Sequence, residues 1–538
     1  MHIGLLLAIL DVILMGGRVV DGTGAPWFRA DVGIAGDRIV AVGDLGKTPA
    51  RRRIDVGGAM VAPGFIDLLG QSELSVLIDN RAESKIRQGI TTEITGEGGS
   101  AAPMSAVMLA EMKPSLDHYK LTVDWSDLDG YFARFTRTRS TINLGTFVGA
   151  AQVRAKVLGL GDVQPTPAQL AAMEAEVDRA MRQGALGVSS ALIYPPGSYA
   201  RTPELLALAK VAARHGGIYA THMRSEDAAE MAALDEVFAI AQGARIPVEI
   251  WHLKAFGKAN WGKLEAVLAR IEQARAEGLD VTADMYPYIA AANNLSSHIP
   301  EWAQAGGTDA MLARFADPAQ RARIVRELRE GSGQYRSVGP ENILLSSCIA
   351  PSVKKYMGKR LTEVAAMMGK PPEEALLDIV AADRSQTANI LFAMSEDDVQ
   401  RGLKRPWIAF DTDHGAQATD GPFAADLAHP RGFGAAARLV GHYARDLQLF
   451  SVEEAVRRMT SLPARRVGLA DRGLVRVGMA ADVVVFDPER IRDVATFDNP
   501  NRYAEGVRWV LVNGQIVLDD GKLTSARPGR PLRRATPK

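Results

Sequence analysis

At 538 residues, with 47% apolar and 23% charged side chains, the chain has room for two or three domains or for one large barrel with additions. Lys plus Arg, at 63, balances Asp plus Glu, at 63, which excludes the strong basic bias of a nucleic-acid footprint. The single cysteine, Cys348, excludes an intrachain disulfide and fits a reducing, cytoplasmic location. The opening run "MHIGLLLAIL" is apolar, but no Lys or Arg precedes it and no small-residue cleavage site follows. A native first strand or a stray upstream start is therefore expected ahead of a signal peptide; only a signal remnant would imply a periplasmic or secreted protein. No other run is long enough to span a bilayer, so no membrane partner is expected.

From there to about residue 60 the pattern is β: "DVILMGGRVVDG", "DVGIAGDRIVAVGDL" and "RRRIDVGGAMVAPG" alternate and are cut by Gly-Asp and Gly-Gly turns. The last seventy or so residues repeat that texture in "ADVVVFDP" and "VRWVLVNGQIVLDDGKL". Two β-rich ends around a different middle predict one small composite β-sandwich built from residues 1–62 and 465–538. The middle, 63–464, alternates. Short apolar strands stand at "GFIDLL", "GITTEITGEG", "INLGTFVG", "ALGVSSAL", "GIYATHMR", "PVEIWHLK", "LDVTADMYPY" and "WIAFDTDH". Helical stretches such as "TPAQLAAMEAEVDRAMRQG", "TPELLALAKVAARHG" and "NWGKLEAVLARIEQARAEG" lie between them, each closed by Gly. Eight strands alternating with helices define the α/β class and a (β/α)8, TIM-type barrel. The connection between the seventh and eighth strands is too long for one helix, and residues 290–345 read as an inserted lid.

In such barrels the chemistry sits at the C-terminal strand ends. There strand two ends at Glu97, strand five at His222, strand six at His252, and strand eight at Asp411 and Asp413. Two histidines and a carboxylate make a Zn2+ shell with one position left for water. A metal lowers the pKa of that water from about 15.7 to about 7, so the protein need only hold a base beside it. Asp413 is the expected base and Asp411 a structural residue, with His414 in support. A lone strand-end histidine is more often structural; two on successive strands, in "THMR" and "WHLK", shift the balance to ligation. A carboxylate in the glycine-rich "TGEGGS" would ordinarily be a surface residue, and Asp413 could instead cap a helix.

These residues and their flanks resemble the N-acyl-D-amino-acid deacylases (D-aminoacylases) of the amidohydrolase superfamily. The segments "VAPGFID", "GALGVSSALIYPPGSYA", "ATHMRSE", "NWGK", "DMYPY", "HPRGFG" and "EEAVRRMTSLPARRVGLADRGLVRVGMAADVVVFDP" carry the likeness, in order, over nearly the whole chain. The resemblance implies hydroxide generated on a tightly held Zn2+ that attacks an amide carbonyl. It matches His222 and His252 to the histidine ligands and Asp413 to the base and then acid. It also assigns Lys254 and Arg431 to the substrate carboxylate, and Tyr194 and Tyr286 to that carboxylate or the developing oxyanion. A guanidinium fork suits the carboxylate physically.

Two departures stand out. The family's His-x-His after strand one is Leu69-Gly70-Gln71 here, so a second metal position is expected to be absent. The family's cysteine ligand is missing, and Glu97 stands at its position or its neighbour's. One Zn2+ per chain, on Glu97, His222 and His252, is therefore expected, with an N-acyl amino acid, of D configuration by resemblance, as the small-molecule substrate. Leu68 and Leu69 are expected to make the pocket wall more apolar. Two other readings stay open: a hydrolase of another amide, dipeptide or cyclic amide, and an inactive scaffold of the same fold. Homo-oligomers are common among relatives, but no interface is legible.

Overall fold

The computed structural model describes residues 9–331 and 333–534. The apolar opening run therefore lies mostly outside the described residues. Eight parallel strands form the central barrel: β1 Phe65–Asp67, β2 Ile90–Thr95, β3 Asn143–Thr146, β4 Gly187–Ala191, β5 Ile218–His222, β6 Val248–Ile250, β7 Val281–Met285 and β8 Ile408–Phe410. The short strand Val148–Gly149 continues β3 and pairs with β4. The ring closes between β8 and β1, where Asp413 N donates to Leu69 O at 2.9 Å and Gly70 bridges His414.

The helices between strands form where the apolar spacing and caps direct. Thr166 and Gln169 make a reciprocal capping box at the start of Pro167–Arg182. Three predicted helices, Pro167–Arg182, Thr202–Arg214 and Leu264–Ala276, are followed by Gly184, Gly216 and Gly278, all at positive φ. Inside the barrel, Ile66, Leu68, Leu69, Ile94, Phe147 and Trp251 share one buried cluster.

Both chain ends build one nine-stranded sheet. Met60–Pro63 pairs antiparallel with Val483–Phe486, the seam between the two ends. The final described residues leave that sheet and return to the barrel, where Leu532 N donates to Leu144 O at 2.8 Å.

The insert after β7 holds a three-stranded antiparallel sheet of Ala291–Asn294, Ala388–Leu391 and Ile343–Ser347. Ala388–Leu391 lies between the other two, so the inserted unit runs on to Leu391 rather than ending near 345. Its second half contains the helices Leu361–Met368 and Pro372–Ala382, whose patterns match those of ordinary barrel helices. Among the described residues no helix is long and apolar enough to cross a membrane.

Candidate metal centre

The barrel mouth holds a cavity of about 460 Å³. Glu97, His222, His252, Lys254, Arg431, Asp413, Tyr194 and Tyr286 all line it. Each owes its position to local backbone. Glu97 sits in a turn between Gly96 (φ +102°) and Gly98 (φ +65°). A Cβ at Gly98 would lie 2.5 Å from the Cβ of Ala191, so glycine lets this turn pack tightly against the end of β4. His252 (φ +38°) and Asp413 (φ +43°) lie just past β6 and β8 in the left-handed region. That conformation costs of order 1 kcal/mol for a non-glycine residue and is characteristic of functional sites. The Asp284 carboxylate helps to hold it at His252, accepting from the backbone N at 2.6 Å.

Three donor atoms converge. Glu97 Oε1 is 2.9 Å from His222 Nδ1 and 3.1 Å from His252 Nε2. Donors on a tetrahedral Zn2+ at 2.0–2.1 Å stand about 3.3 Å apart, so a small relaxation admits the ion. The residues present therefore fit a divalent cation. His222 and His252 are 4% and 2% exposed, so packing around them at the cavity wall holds both rings in place.

The electrostatics agree with a site prepared for positive charge. Burial pushes the Glu97 carboxyl up, but the hydrogen bonds with His222 and His252 outweigh it and hold it well below the usual range. Burial and Lys254 push His252 down; Glu226 and Glu97 overcome them and bring it up to about 10. Glu226 is a residue of this cluster that the sequence reading passed over. Its Oε1 lies 3.0 Å from His252 Nδ1 and 2.6 Å from Lys254 Nζ, and its Oε2 lies 3.6 Å from His222 Nε2. A metal-ligating histidine characteristically gives its second N–H to such a carboxylate. The available signal was spacing: Glu226 follows His222 by four residues in "THMRSE".

The side of the mouth at β1 is built differently. Leu68 and Leu69 do not line the cavity, contrary to the expectation of an apolar wall there; both point into the barrel core and are at most 1% exposed. Gln71 does reach the cavity, and its Nε2 donates to Glu97 Oε2 at 2.5 Å and Asp413 Oδ1 at 3.2 Å. A Cβ at Gly70 would collide with Glu93, 1.7 Å from its Oε1, so only glycine fits. Beneath, the fully buried Lys85 ammonium contacts Asp67 at 2.8 Å and Glu93 at 3.2 Å, and donates to Thr412 Oγ1 at 2.6 Å.

Arg431 Nη2 meets Asp413 Oδ2 at 2.9 Å, and its guanidinium lies 4.5 Å from the Tyr286 ring centre. Its Nε and Nη1, and the Tyr286 hydroxyl, find no partner among the described residues. Lys254, by contrast, is held between Glu226 and His252 Nδ1, 2.8 Å away. Tyr194 Oη accepts from Asn293 Nδ2 at 3.4 Å. Burial, despite Arg431, raises Asp413 above the ordinary aspartate range; burial and Asp413 raise Asp411 well above it. His414 also lines the cavity, its Nδ1 donating to Gly415 O at 2.8 Å, and burial lowers it to about 3. Cys348 lies in the insert and does not line the cavity.

A barrel mouth with two histidines, a carboxylate and a neighbouring aspartate defines a metal-dependent hydrolase centre. The amidohydrolase family pattern matches residues 52–518. The N-acyl-D-glutamate deacylase of Alcaligenes xylosoxydans xylosoxydans is 37% identical over 98% of this chain and 97% of its own length. A crystal structure of N-acyl-D-glutamate deacylase from Bordetella bronchiseptica, complexed with zinc and a phosphonate mimic of the tetrahedral intermediate, superposes with a TM-score of 0.83. It is 34% identical, over 98% of this chain and 100% of that one. A D-aminoacylase, described by one-metal activation and second-metal attenuation of a binuclear centre, gives a TM-score of 0.82 at 36% identity, over 98% and 100%. The chain belongs to the amidohydrolase family, in its N-acyl-D-amino-acid deacylase branch.

Proposed function

We propose that the protein cleaves the amide C–N bond of N-acyl amino acids, of D configuration as in its relatives' names, with one Zn2+ per chain. The observation that carries this reading is the convergence of Glu97, His222 and His252 ligand atoms within 4.8 Å, beside Asp413 and the half-unpaired Arg431 fork. The donors support a count of one: leucine at 69 offers none, and the Gln71 amide is already engaged by Glu97 and Asp413. The D-aminoacylase relative, with its one-metal activation, supports a single ion as sufficient.

When bound, the cation acidifies a water, lowering its pKa to about 7. The chain's own residues do the rest. Asp413 takes the proton of the attacking water on its carboxylate and returns it to the departing amine nitrogen. Arg431 receives the substrate carboxylate on Nε and Nη1 while Nη2 keeps Asp413 aimed. Tyr286 and Tyr194, which line the cavity, serve as donors for the carboxylate or the developing oxyanion. Lys254 and Glu226 act together: the ammonium fixes Glu226, and Glu226 fixes the ring of His252.

Metal analysis with activity on the same sample tests the reading. About one Zn2+ per chain is expected, with hydrolysis of N-acetyl-D-amino acids lost on chelation and restored by Zn2+. A fully active, metal-free protein indifferent to chelators would overturn it.

A further inference from the structure

A second cavity of about 370 Å³ adjoins the catalytic one. Glu97 and Tyr194 line both, so the two chambers lie on either side of the same pair of side chains, next to the ligand cluster. Their linings differ in kind. The catalytic chamber carries Lys254 and Arg431. The second has no Lys, Arg or His among its described lining residues. Its walls are Met108 and Met112 from the helix Ala106–Tyr119, Met311 from the insert helix Thr308–Ala316, and Leu160 with Ala155 between them. Met108 and Met311 are 6% and 3% exposed, so these side chains are packed against the core rather than free in solvent.

Several polar groups of this chamber are already partnered. Glu111 Oε2 accepts from Thr308 N at 3.0 Å and Thr308 Oγ1 at 2.6 Å. Gln152 Nε2 donates to Pro103 O at 3.1 Å, and Gln304 Nε2 to Ile299 O at 2.7 Å. Gly306 N donates to Leu160 O at 2.9 Å, so the insert is pinned across the cleft at two points. The surface left for a ligand is thus mostly apolar and methionine-rich, a lining that adapts to flexible chains. Two carboxylates, Glu97 and Glu111, disfavour an anionic group there.

Resting on the function proposed above, we infer that this methionine-lined cavity is the acyl-chain subsite, and that the preferred substrates carry a medium-length aliphatic acyl group. The substrate's two ends then sort by chemistry. Its carboxylate goes to Arg431, its amide to the Glu97–His222–His252 cluster, and its hydrocarbon chain past Tyr194 into the second chamber. At about 30 Å³ per water-sized group, the volume of about 370 Å³ takes roughly twelve heavy atoms.

The test is a homologous series, N-acetyl-, N-butanoyl-, N-hexanoyl- and N-octanoyl-D-leucine, on the Zn2+-loaded protein. Each buried methylene should raise kcat/KM by about fourfold over the early steps. Met311→Trp and, independently, Ala155→Phe should each cut the octanoyl-to-acetyl ratio by at least about tenfold. A flat series, or a ratio unchanged in both folded variants, overturns the subsite and leaves the deacylase reading standing. If no member is hydrolysed and the N-acetyl derivatives of the other D-amino acids, D-glutamate and D-aspartate included, are also left intact, the deacylase reading fails, and the cavity is judged by binding of neutral amides. Octanamide should then bind more tightly than acetamide, with the advantage lost in Met311→Trp; equal binding overturns the subsite.

Discussion

The barrel mouth has two sides that meet the same electrostatic problem in different ways. On the side of β2, β5 and β6, Glu97 faces His222 and His252, and Glu226 stands behind both rings. That charge arrangement can exchange a proton for a cation. On the side of β1 and β8, fixed donors from the chain neutralise the carboxylates: Lys85 serves Asp67 and Glu93, and Gln71 and Arg431 serve Asp413. One side is loadable and the other is permanently wired. The contrast teaches that one barrel mouth can hold its carboxylates in two ways, by imidazoles that can give up a proton and by an amide, a guanidinium and a buried ammonium that stay as they are.

The sharpest way to break the contrast is through the group that faces both sides. Asp413→Asn should lower kcat by about 10²–10⁴ while elemental analysis still finds the metal. A near-normal kcat would remove Asp413 from the chemistry. Next comes Lys85→Met, which leaves Asp67 and Glu93 buried without their cation. It should cost about 3–5 kcal/mol in urea unfolding. Burial already outweighs Lys85 and lifts Glu93 to about 7, so a loss under about 1 kcal/mol would mean that these carboxyls become neutral instead.

On the loadable side, Glu226→Gln should weaken Zn2+ binding by about 10–100-fold in a chelator competition, because the second N–H of His252 then faces a neutral amide in place of a carboxylate. Unchanged affinity would reduce Glu226 to a partner of Lys254 alone. The pH dependence has a definite sign. In the metal-free protein His252 holds its proton up to about 10, and ligation requires that proton to leave. Loading should therefore release protons, and affinity should fall about tenfold for each pH unit below 10 per proton displaced. Affinity flat between pH 6 and 9 would contradict this.

How much of this was legible beforehand differs by region. The eight barrel strands are short apolar runs bounded by glycine-closed helices, and periodicity exposes them directly. His222, His252 and Asp413 were visible because strand ends in a barrel are chemically special positions. Glu226 was not, because it belongs to the loop beyond β5 and only folding turns it back over the histidines. The second half of the insert was hidden because its helices have the amphipathic spacing of barrel helices, while the strand that defines the unit, Ala388–Leu391, has only four residues. The inward turn of Leu69 was hidden too: a residue's face at a strand end depends on the pleat, and Gly70 and Gln71 break the alternation.

Gln71 gives the smallest expected effect and the most specific comparison. Its amide nitrogen bridges Glu97 and Asp413, one group from each side of the mouth. Gln71→Leu keeps the approximate volume and removes the bridge. Water in the cavity can replace a single lost hydrogen bond, so the cost should sit near the ordinary net value of about 1 kcal/mol, or roughly fivefold in kcat/KM. Metal content should not change, since Gln71 holds Glu97 by Oε2 and the ligand cluster forms at Oε1. A loss as large as that of Asp413→Asn would mean that the amide takes part in aiming the base. No loss at all would mean that the two sides are electrostatically independent and that the wired side only fills space.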